Sequence, residues 1–330
     1  MLISVIIPCY NEEKFIGKCV TSLLRQKGVS GNFEILVVDG MSTDNTPAIL
    51  QKIISGDNRV KIISNNKKIT PVAFNLGIEN SSGEYICIMG AHSEYDENYL
   101  ANCLKLFNEH PEVSCVGGPV VSRGKNVFAK AAALAMSSPV GVGNAKHRFP
   151  DYEGYAEMAC FPMFKREVFN RIGMYDERLV RNQDDEFCFR LRLNGGKIYI
   201  SPVIISEYYV RDSPGKLFRQ YFDYGKWRIA VLRKHKIPIA FRQFVPALFF
   251  SGIIAAALLS SFIGKPSLGV ILPGVYVALL IVSSVKVLLR SGVSIAASFF
   301  IAVFILHFSY ASGFIAAFFS SEIKSIKSDN

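Results

Sequence analysis

Glu34-Ile35-Leu36-Val37-Val38-Asp39-Gly40-Met41-Ser42-Thr43-Asp44 is the stretch on which the fold turns. Glu34–Val38 is a short, mostly β-branched apolar run, and it stops at Asp39-Gly40. Such a run bounded by a turn reads as a strand buried on both faces. Ser42, Thr43 or Asp44 is placed to cap a helix from Thr46, whose neighbour Pro47 suits a first turn. The pattern recurs on either side: Leu2–Ile7 ends at Pro8, and Val60–Ile63 and Tyr85–Met89 are further short apolar runs. Helical patterns lie between them at Lys14–Gln26, Thr46–Ser55 and Pro71–Glu79. Apolar strands alternating with helices predict an α/β fold, a mostly parallel doubly wound sheet with helices on both faces. Ligands of such sheets sit outside the carboxyl ends of the strands. Pro8–Glu12, Asp39–Thr43 and Gly90–Glu94 are therefore expected to face one crevice.

Asp39 at a strand end is well placed to accept hydrogen bonds from a nucleobase or ribose; a plain strand–turn–helix junction is the alternative. The chain has neither Gly-x-Gly-x-x-Gly nor a Walker motif, which argues against dinucleotide-dependent and ATP-hydrolysing enzymes. The seven cysteines include no Cys-x-x-Cys pair, so they read as small buried apolar residues rather than zinc ligands or disulfides.

The 330-residue chain carries a formal charge of +10 and a mean hydropathy of +0.26, and neither is spread evenly. Residues 243–330 hold five basic and two acidic side chains, so residues 1–242 carry +7 of the +10. Three apolar segments fill the tail: Phe244–Ile263, Leu268–Leu289 and Val293–Phe319. About 20 apolar residues span a bilayer as a helix. Three crossings are expected, leaving the C-terminus outside; two crossings plus an interfacial segment would keep Lys324 and Lys327 inside. Arg233, Lys234, Lys236 and Arg242 just before the first segment put the N-terminal part on the cytoplasmic side of the inner (plasma) membrane. Met1-Leu2-Ile3-Ser4 lacks the basic start of a signal peptide. The division expected is residues 1–242, soluble (1–115 and 116–242 as its halves), and 243–330, multi-pass. The basic charge suits anionic lipid headgroups, and with no recognition helix or separate basic stripe, no nucleic-acid partner is expected.

Asn182-Gln183-Asp184-Asp185-Glu186-Phe187 concentrates acids and amides in an otherwise basic, apolar chain. It reads either as a solvated turn before the helix Phe187–Leu193 or as a general base beside a site for an anionic substrate.

With these residues in hand, the chain resembles the family 2 inverting glycosyltransferases, and within them the membrane-bound succinoglycan-biosynthesis type. The resemblance is carried, in order, by Pro8-Cys9-Tyr10-Asn11-Glu12, Glu34 to Asp44, Pro71 to Ile86, Gly173-Met174-Tyr175-Asp176-Glu177 with Gln183-Asp184, and Arg219-Gln220-Tyr221-Phe222-Asp223-Tyr224-Gly225-Lys226-Trp227-Arg228. It covers about residues 1–240. It implies a GT-A-type fold and a nucleoside diphosphate sugar donor, most often with uridine. It further implies that Pro8, Tyr10, Glu12 and Asp39 hold the nucleotide, that Asp184 is the base, and that Gln220 and Trp227 lie near the diphosphate and acceptor. Plainer alternatives are a Tyr10 lid on the strand end, Asp185 as a helix cap, and Lys216–His235 as a membrane-surface helix. Ala129–Ala135 reads as helix packing or as lining for a lipid approach.

Two positions depart from the family pattern. Gly90-Ala91-His92 stands where the family has Asp-x-Asp and this subgroup Asp-x-His, and Gln183 replaces an acid. A divalent metal (Mn2+ or Mg2+) held through His92, metal-free catalysis with Arg219, Lys226 or Arg228 facing the leaving diphosphate, and nucleotide binding without turnover all stay open at this point. Because the chain starts at its first strand, transfer of one sugar to a polyprenyl-diphosphate-linked acceptor is expected rather than processive synthesis. A non-catalytic, membrane-anchored nucleotide-sugar-binding subunit is the remaining alternative.

Overall fold

The computed structural model describes residues 2–29, 33–238 and 240–326; Met1 and Lys327, used above, lie outside the described residues. Residues 1–121 with 146–208 form one compact unit, and residues 122–145 with 209–330 form another.

The strands are β1 (Ile3–Cys9), β2 (Phe33–Asp39), β3 (Val60–Ser64), β4 (Tyr85–Ile88), β5 (Cys115–Gly118), β6 (Val121–Arg123), β7 (Gly154–Tyr155), β8 (Cys160–Lys165), β9 (Ile198–Ile200) and β10 (Glu207–Tyr209). Among the described residues, β6 and β10 form a separate two-stranded sheet. The rest make one eight-stranded sheet in the order β3-β2-β1-β4-β8-β5-β9-β7. β3, β2, β1 and β4 are parallel. β8 is wedged antiparallel between β4 and β5, so its first residues lie at the end where β4 finishes.

The sheet is covered on both faces, as the apolar runs require. Ile3, Val5 and Ile7 of β1 pack with Ile16, Val20 and Leu23 of helix Ile16–Leu24 and with Tyr99 and Leu106 of helix Tyr99–Glu109. Ile6 points to the other face, among Ala73, Phe74 and Ile78 of helix Thr70–Glu79 and Phe187 of helix Gln183–Leu193. Each such isoleucine or leucine contributes about 1.5–3 kcal/mol by leaving water. A Cβ on Gly77 would collide with the Ile6 side chain, so glycine lets that helix close onto β1.

Pro8 does not end its strand, contrary to the expectation. β1 continues to Cys9, pairing Pro8 with Val38 and Cys9 with Asp39. The reason is local: pairing with β4 stops at Ile6–Ile88, so Pro8 has a partner strand on one side only, where its missing N–H costs little.

The second unit is helical. It contains Val127–Met136, Pro214–His235, Val245–Phe262, Ile271–Ser291 and Val293–Ala316. Among the described residues, three stretches, Val245–Phe262, Pro266–Ser291 and Val293–Ala316, are long and apolar enough to cross a membrane. The division expected at residue 242 cuts through this unit, because Pro214–His235 packs along Val293–Ala316. A Cβ on Gly225 would collide with the Tyr310 carbonyl, and one on Gly313 with the Phe222 carbonyl. Two glycines thus bring the backbones together, as at close helix crossings.

Candidate active site

The carboxyl ends of β1 and β2 are stitched into one platform. Asn11 N–H donates to Ser42 Oγ at 2.8 Å, Thr43 N–H to Asn11 Oδ1 at 2.8 Å, and Glu12 N–H to Thr46 Oγ1 at 2.7 Å. Asn11 and Met41 both have left-handed backbone, at φ 54° and 60°. Asparagine tolerates this readily; for Met41 it costs about 1 kcal/mol or more, and these cross-loop bonds hold it there.

Asp39 closes β2 and is largely buried. Its Oδ1 accepts from Ser42 Oγ at 2.5 Å and its Oδ2 from Ser42 N–H at 3.0 Å. Each oxygen keeps a second lone pair for a ligand N–H or O–H. Tyr10 is exposed over this end, its ring against Gly40 and 5.7 Å from Lys68 Nζ. The loop after β3 joins in, as Asn65 N–H donates to Asp39 O at 2.7 Å.

Beyond β4, His92 Nδ1 lies 2.7 Å from Glu12 Oε2, with Glu12 mostly covered and His92 65% exposed. The His92 ring meets Phe15 edge-on at 5.1 Å. A carboxylate on one ring nitrogen is the arrangement that orients a metal-ligating histidine and raises the basicity of the other nitrogen. Glu12, expected as a nucleotide ligand, therefore spends one oxygen on His92. Among the described residues, no three His, Cys, Asp or Glu side chains gather into a metal cluster. Gly90 is not an open vacancy either: a Cβ there would lie 2.8 Å from Phe161 Cε1. Phe161 has φ 44° and its carbonyl accepts from Tyr99 Oη at 2.7 Å. Of these residues His92 is the one that could offer a nitrogen to a metal, with Glu12 behind it, and ligand oxygens would have to complete the shell.

Asp184 lies in the first turn of helix Gln183–Leu193, exposed, with Oδ1 accepting from Asp185 N–H at 2.9 Å. The preceding residue but one, Asn182, is left-handed at φ 58°. Glu186 is fully buried and paired with Arg190 at 3.0 Å. Arg190 also donates to the carbonyls of Ile172 and Met174. Tyr175 stacks on Phe187 with centroids 4.4 Å apart, and Asn75 clamps the Tyr175 backbone with two bonds of 2.9 Å. Asp176 is held by Arg178 at 2.7 Å and Glu177 by Lys67 at 2.8 Å. Most of the acids that stand out in the sequence thus fasten the segment that presents Asp184.

Asp184 opens a helix whose Phe187 and Cys188 pack in one cluster with Ala159, the residue before β8. Burial, above all, pushes the Cys160 thiol up to about 11; Arg148 opposes the rise and Asp184 adds to it. Cys160 is the first residue of β8. That residue pairs with Gly118 at the end of β5, beside the end of β4 and in line with the ends of β1 and β2. From β2 to β8 is three strand spacings, about 14 Å. Gln220 and Trp227 belong to the second unit, on helix Pro214–His235. Gln220 Nε2 donates to Tyr224 Oη at 3.0 Å, and Trp227 is buried. Ser42, a helix-cap candidate in the sequence, instead bonds Asp39, and neither Lys68 nor Phe161 stands out there. Only Ser42 had a local signal, as a polar residue just beyond a strand-end acid.

The sequence profile of a family described as "Glycosyl transferase family 2" matches residues 4–173. A Methanococcus voltae protein, dolichyl N-acetyl-alpha-D-glucosaminyl phosphate 3-beta-D-2,3-diacetamido-2,3-dideoxy-beta-D-glucuronosyltransferase, is 32% identical over 243 residues, 70% of this chain and 74% of that one. Succinoglycan biosynthesis protein ExoA of Rhizobium meliloti is 30% identical over 246 residues, 73% of each chain. Among solved structures, the mannosyltransferase PcManGT of Pyrobaculum calidifontis, in complex with GDP-Man and Mn2+, superposes with a TM-score of 0.60. It is 18% identical, with 92% of this chain and 86% of that one covered. The last likeness establishes the GT-A-type architecture, an α/β unit accompanied here by three apolar helices. The profile match over half the chain and the two relatives settle the kinship: the chain belongs to glycosyl transferase family 2 and is a glycosyltransferase.

Proposed function

We propose that the chain moves one sugar, with inversion, from a nucleoside diphosphate sugar, UDP-linked in our reading, to a polyprenyl-diphosphate-linked glycan at the membrane, in the synthesis of a surface or extracellular polysaccharide. The observation that supports this is Asp39 at the carboxyl end of β2, with Asp184 opening a helix that packs beside the start of β8. Asp39, Pro8 and Tyr10 bind the nucleotide. The acceptor O–H attacks the anomeric carbon, Asp184 takes its proton, and the nucleoside diphosphate leaves from the opposite face. Positioning and proton removal lower the barrier. His92, oriented by Glu12, would hold a divalent ion, which when bound supplies charge to stabilise the diphosphate. Gln220 and Trp227 are assigned near the diphosphate and acceptor from their motif alone. The functional division is residues 1–242, catalytic and cytoplasmic, and 243–330, in the inner membrane, with Arg233, Lys234, Lys236 and Arg242 on the cytoplasmic side.

The Methanococcus voltae relative, named for transfer to a dolichyl phosphate sugar, supports a lipid-linked acceptor, and the succinoglycan biosynthesis protein supports a role in polysaccharide synthesis. The Mn2+ and GDP-Man of the mannosyltransferase support a metal and a nucleotide sugar. The test is a panel of nucleotide sugars with membranes containing the full chain and a lipid-linked acceptor, with and without Mn2+ or EDTA. One donor should give a product one sugar longer, of inverted configuration, and less of it with EDTA. Long products would favour a processive synthase, and EDTA without effect would remove His92 as a ligand. A second reading, nucleotide binding without turnover, draws on the Phe161 ring against Gly90; it predicts saturable nucleotide binding with no product from any donor.

A further inference from the structure

Within the second unit, the two ends of the apolar tail lie side by side. Lys226 Nζ is 2.7 Å from Glu322 Oε2, and Arg233 Nη1 donates to Ile323 O at 3.5 Å. An ion pair cannot bridge the two faces of a bilayer, so helix Pro214–His235 and helix Ser321–Lys324 lie on the same face. The chain between them must cross an even number of times. Three helices are long enough to cross, so one of them does not.

The side-chain register shows which. Tyr276 Oη lies 2.9 Å from His307 Nδ1, while Val285 and Leu288 share a cavity with Val293 and Ala296. Ile271–Ser291 and Val293–Ala316 are thus an antiparallel hairpin turned at Gly292, whose φ is 83°. The same register brings Ile271 level with Ser312. The 21 residues of Ile271–Ser291 rise about 31 Å, against about 30 Å of hydrocarbon. The last helix runs beside Pro214–His235 from Phe308 onward, where Phe218 lies 6.3 Å from Phe308 and Gly313 meets Phe222, and past Ser312 it leaves that layer.

Val245–Phe262 follows a different path. The ring before its first residue, Phe244, lies 5.6 Å from Phe314, at the level where the hairpin ends. Phe250 reaches inward, 5.4 Å from Phe308 and 5.8 Å from Tyr276. The far part of the helix then returns to the starting level. Gly269, two residues before Ile271, packs on Ala257 and Ser260, and Lys265 N–H donates to Ser260 O at 2.8 Å. Leu258, Leu259 and Phe262 stay exposed, Phe262 by 90%.

We infer that two helices, Ile271–Ser291 and Val293–Ala316, cross the bilayer, whereas Val245–Phe262 lies within the leaflet nearer the N-terminal part, its exposed apolar side chains against lipid acyl chains. The C-terminal end therefore returns to the side of the N-terminal part. This replaces the three crossings expected from segment length, and it stands independently of the proposed donor and acceptor.

The test uses the full chain in sealed vesicles of both orientations, with short epitopes at the N-terminus, after Gly264, at Gly292 and after Asn330, read by antibody and protease access. The N-terminal, Gly264 and C-terminal epitopes should report one side and the Gly292 epitope the other. A C-terminal epitope opposite the N-terminal one overturns the even count. A Gly264 epitope on the Gly292 side makes Val245–Phe262 a crossing helix and overturns its assignment, and a Gly292 epitope on the N-terminal side overturns the hairpin. The end epitopes alone, in a chain with no internal insertion, decide the parity. A charge swap checks its basis: Lys226→Glu should lower the melting temperature in detergent, and adding Glu322→Lys should restore it. No restoration would mean that the pair does not form and the parity argument fails.

Discussion

Asp184 is an exposed acid in the first turn of a helix. As the proposed base it is worth roughly 10²–10⁴-fold in rate. Asp184→Asn should lower kcat by at least about 10²-fold and leave nucleotide affinity unchanged, measured by initial rates and nucleotide titration. Near-normal turnover would move the role to Asp185, because Glu186 is buried against Arg190. Gly90 presents the opposite problem. Restoring an acid there by Gly90→Asp looks from the sequence like a way to strengthen metal dependence, but the new Cβ would crowd the Phe161 ring. Overpacking of this kind costs about 1–3 kcal/mol. Gly90→Asp alone should therefore lower the melting temperature without increasing Mn2+ affinity. Gly90→Asp with Phe161→Ala should recover stability and bind Mn2+ more tightly, as read by metal titration in the presence of nucleotide.

At the scale of the element, Glu34 joins the amino-terminal ends of the parallel strands. Its Oε1 accepts from Ser4 Oγ of β1 at 2.7 Å and from Ser82 N–H, before β4, at 2.8 Å; Lys61 of β3 sits 2.8 Å from Oε2. Burial alone would raise the carboxyl, but the Lys61 ammonium and the Ser82 and Ser4 donors outweigh it and hold it at about 2. A carboxyl whose pKa is lowered by folding stabilises the protein fully above its unfolded value, about 4.3, and loses that contribution as pH falls toward the folded value. The shift corresponds to at most about 3 kcal/mol. Glu34→Gln should destabilise the protein by about 1–3 kcal/mol at neutral pH. The gap from wild type should close as pH falls from 5 toward 2, followed by chemical or thermal unfolding at each pH. A gap independent of pH would show that packing, not charge, holds this corner.

For the whole molecule, the backbones of Pro214–His235 and Val293–Ala316 touch because Gly225 and Gly313 carry no side chains. Gly225→Val should separate the helices and lower thermal stability in detergent, while nucleotide affinity stays near wild type because Asp39 and its loops belong to the other unit. An equal loss in both would show that the two units fail together. The sequence alone determined the parallel sheet, its carboxyl-edge loops, the strand-end position of Asp39 and the apolar tail, because strand and helix periodicity and segment length are local properties. It could not show that His92 would rest on Glu12, that Phe161 would cover Gly90, or that Glu322 would return to Lys226. Those depend on strand order and helix register: β8 enters antiparallel between β4 and β5, and the tail folds back on itself. Only tertiary packing brings residues so distant along the chain within bonding distance, and so it alone decided the surroundings of these side chains.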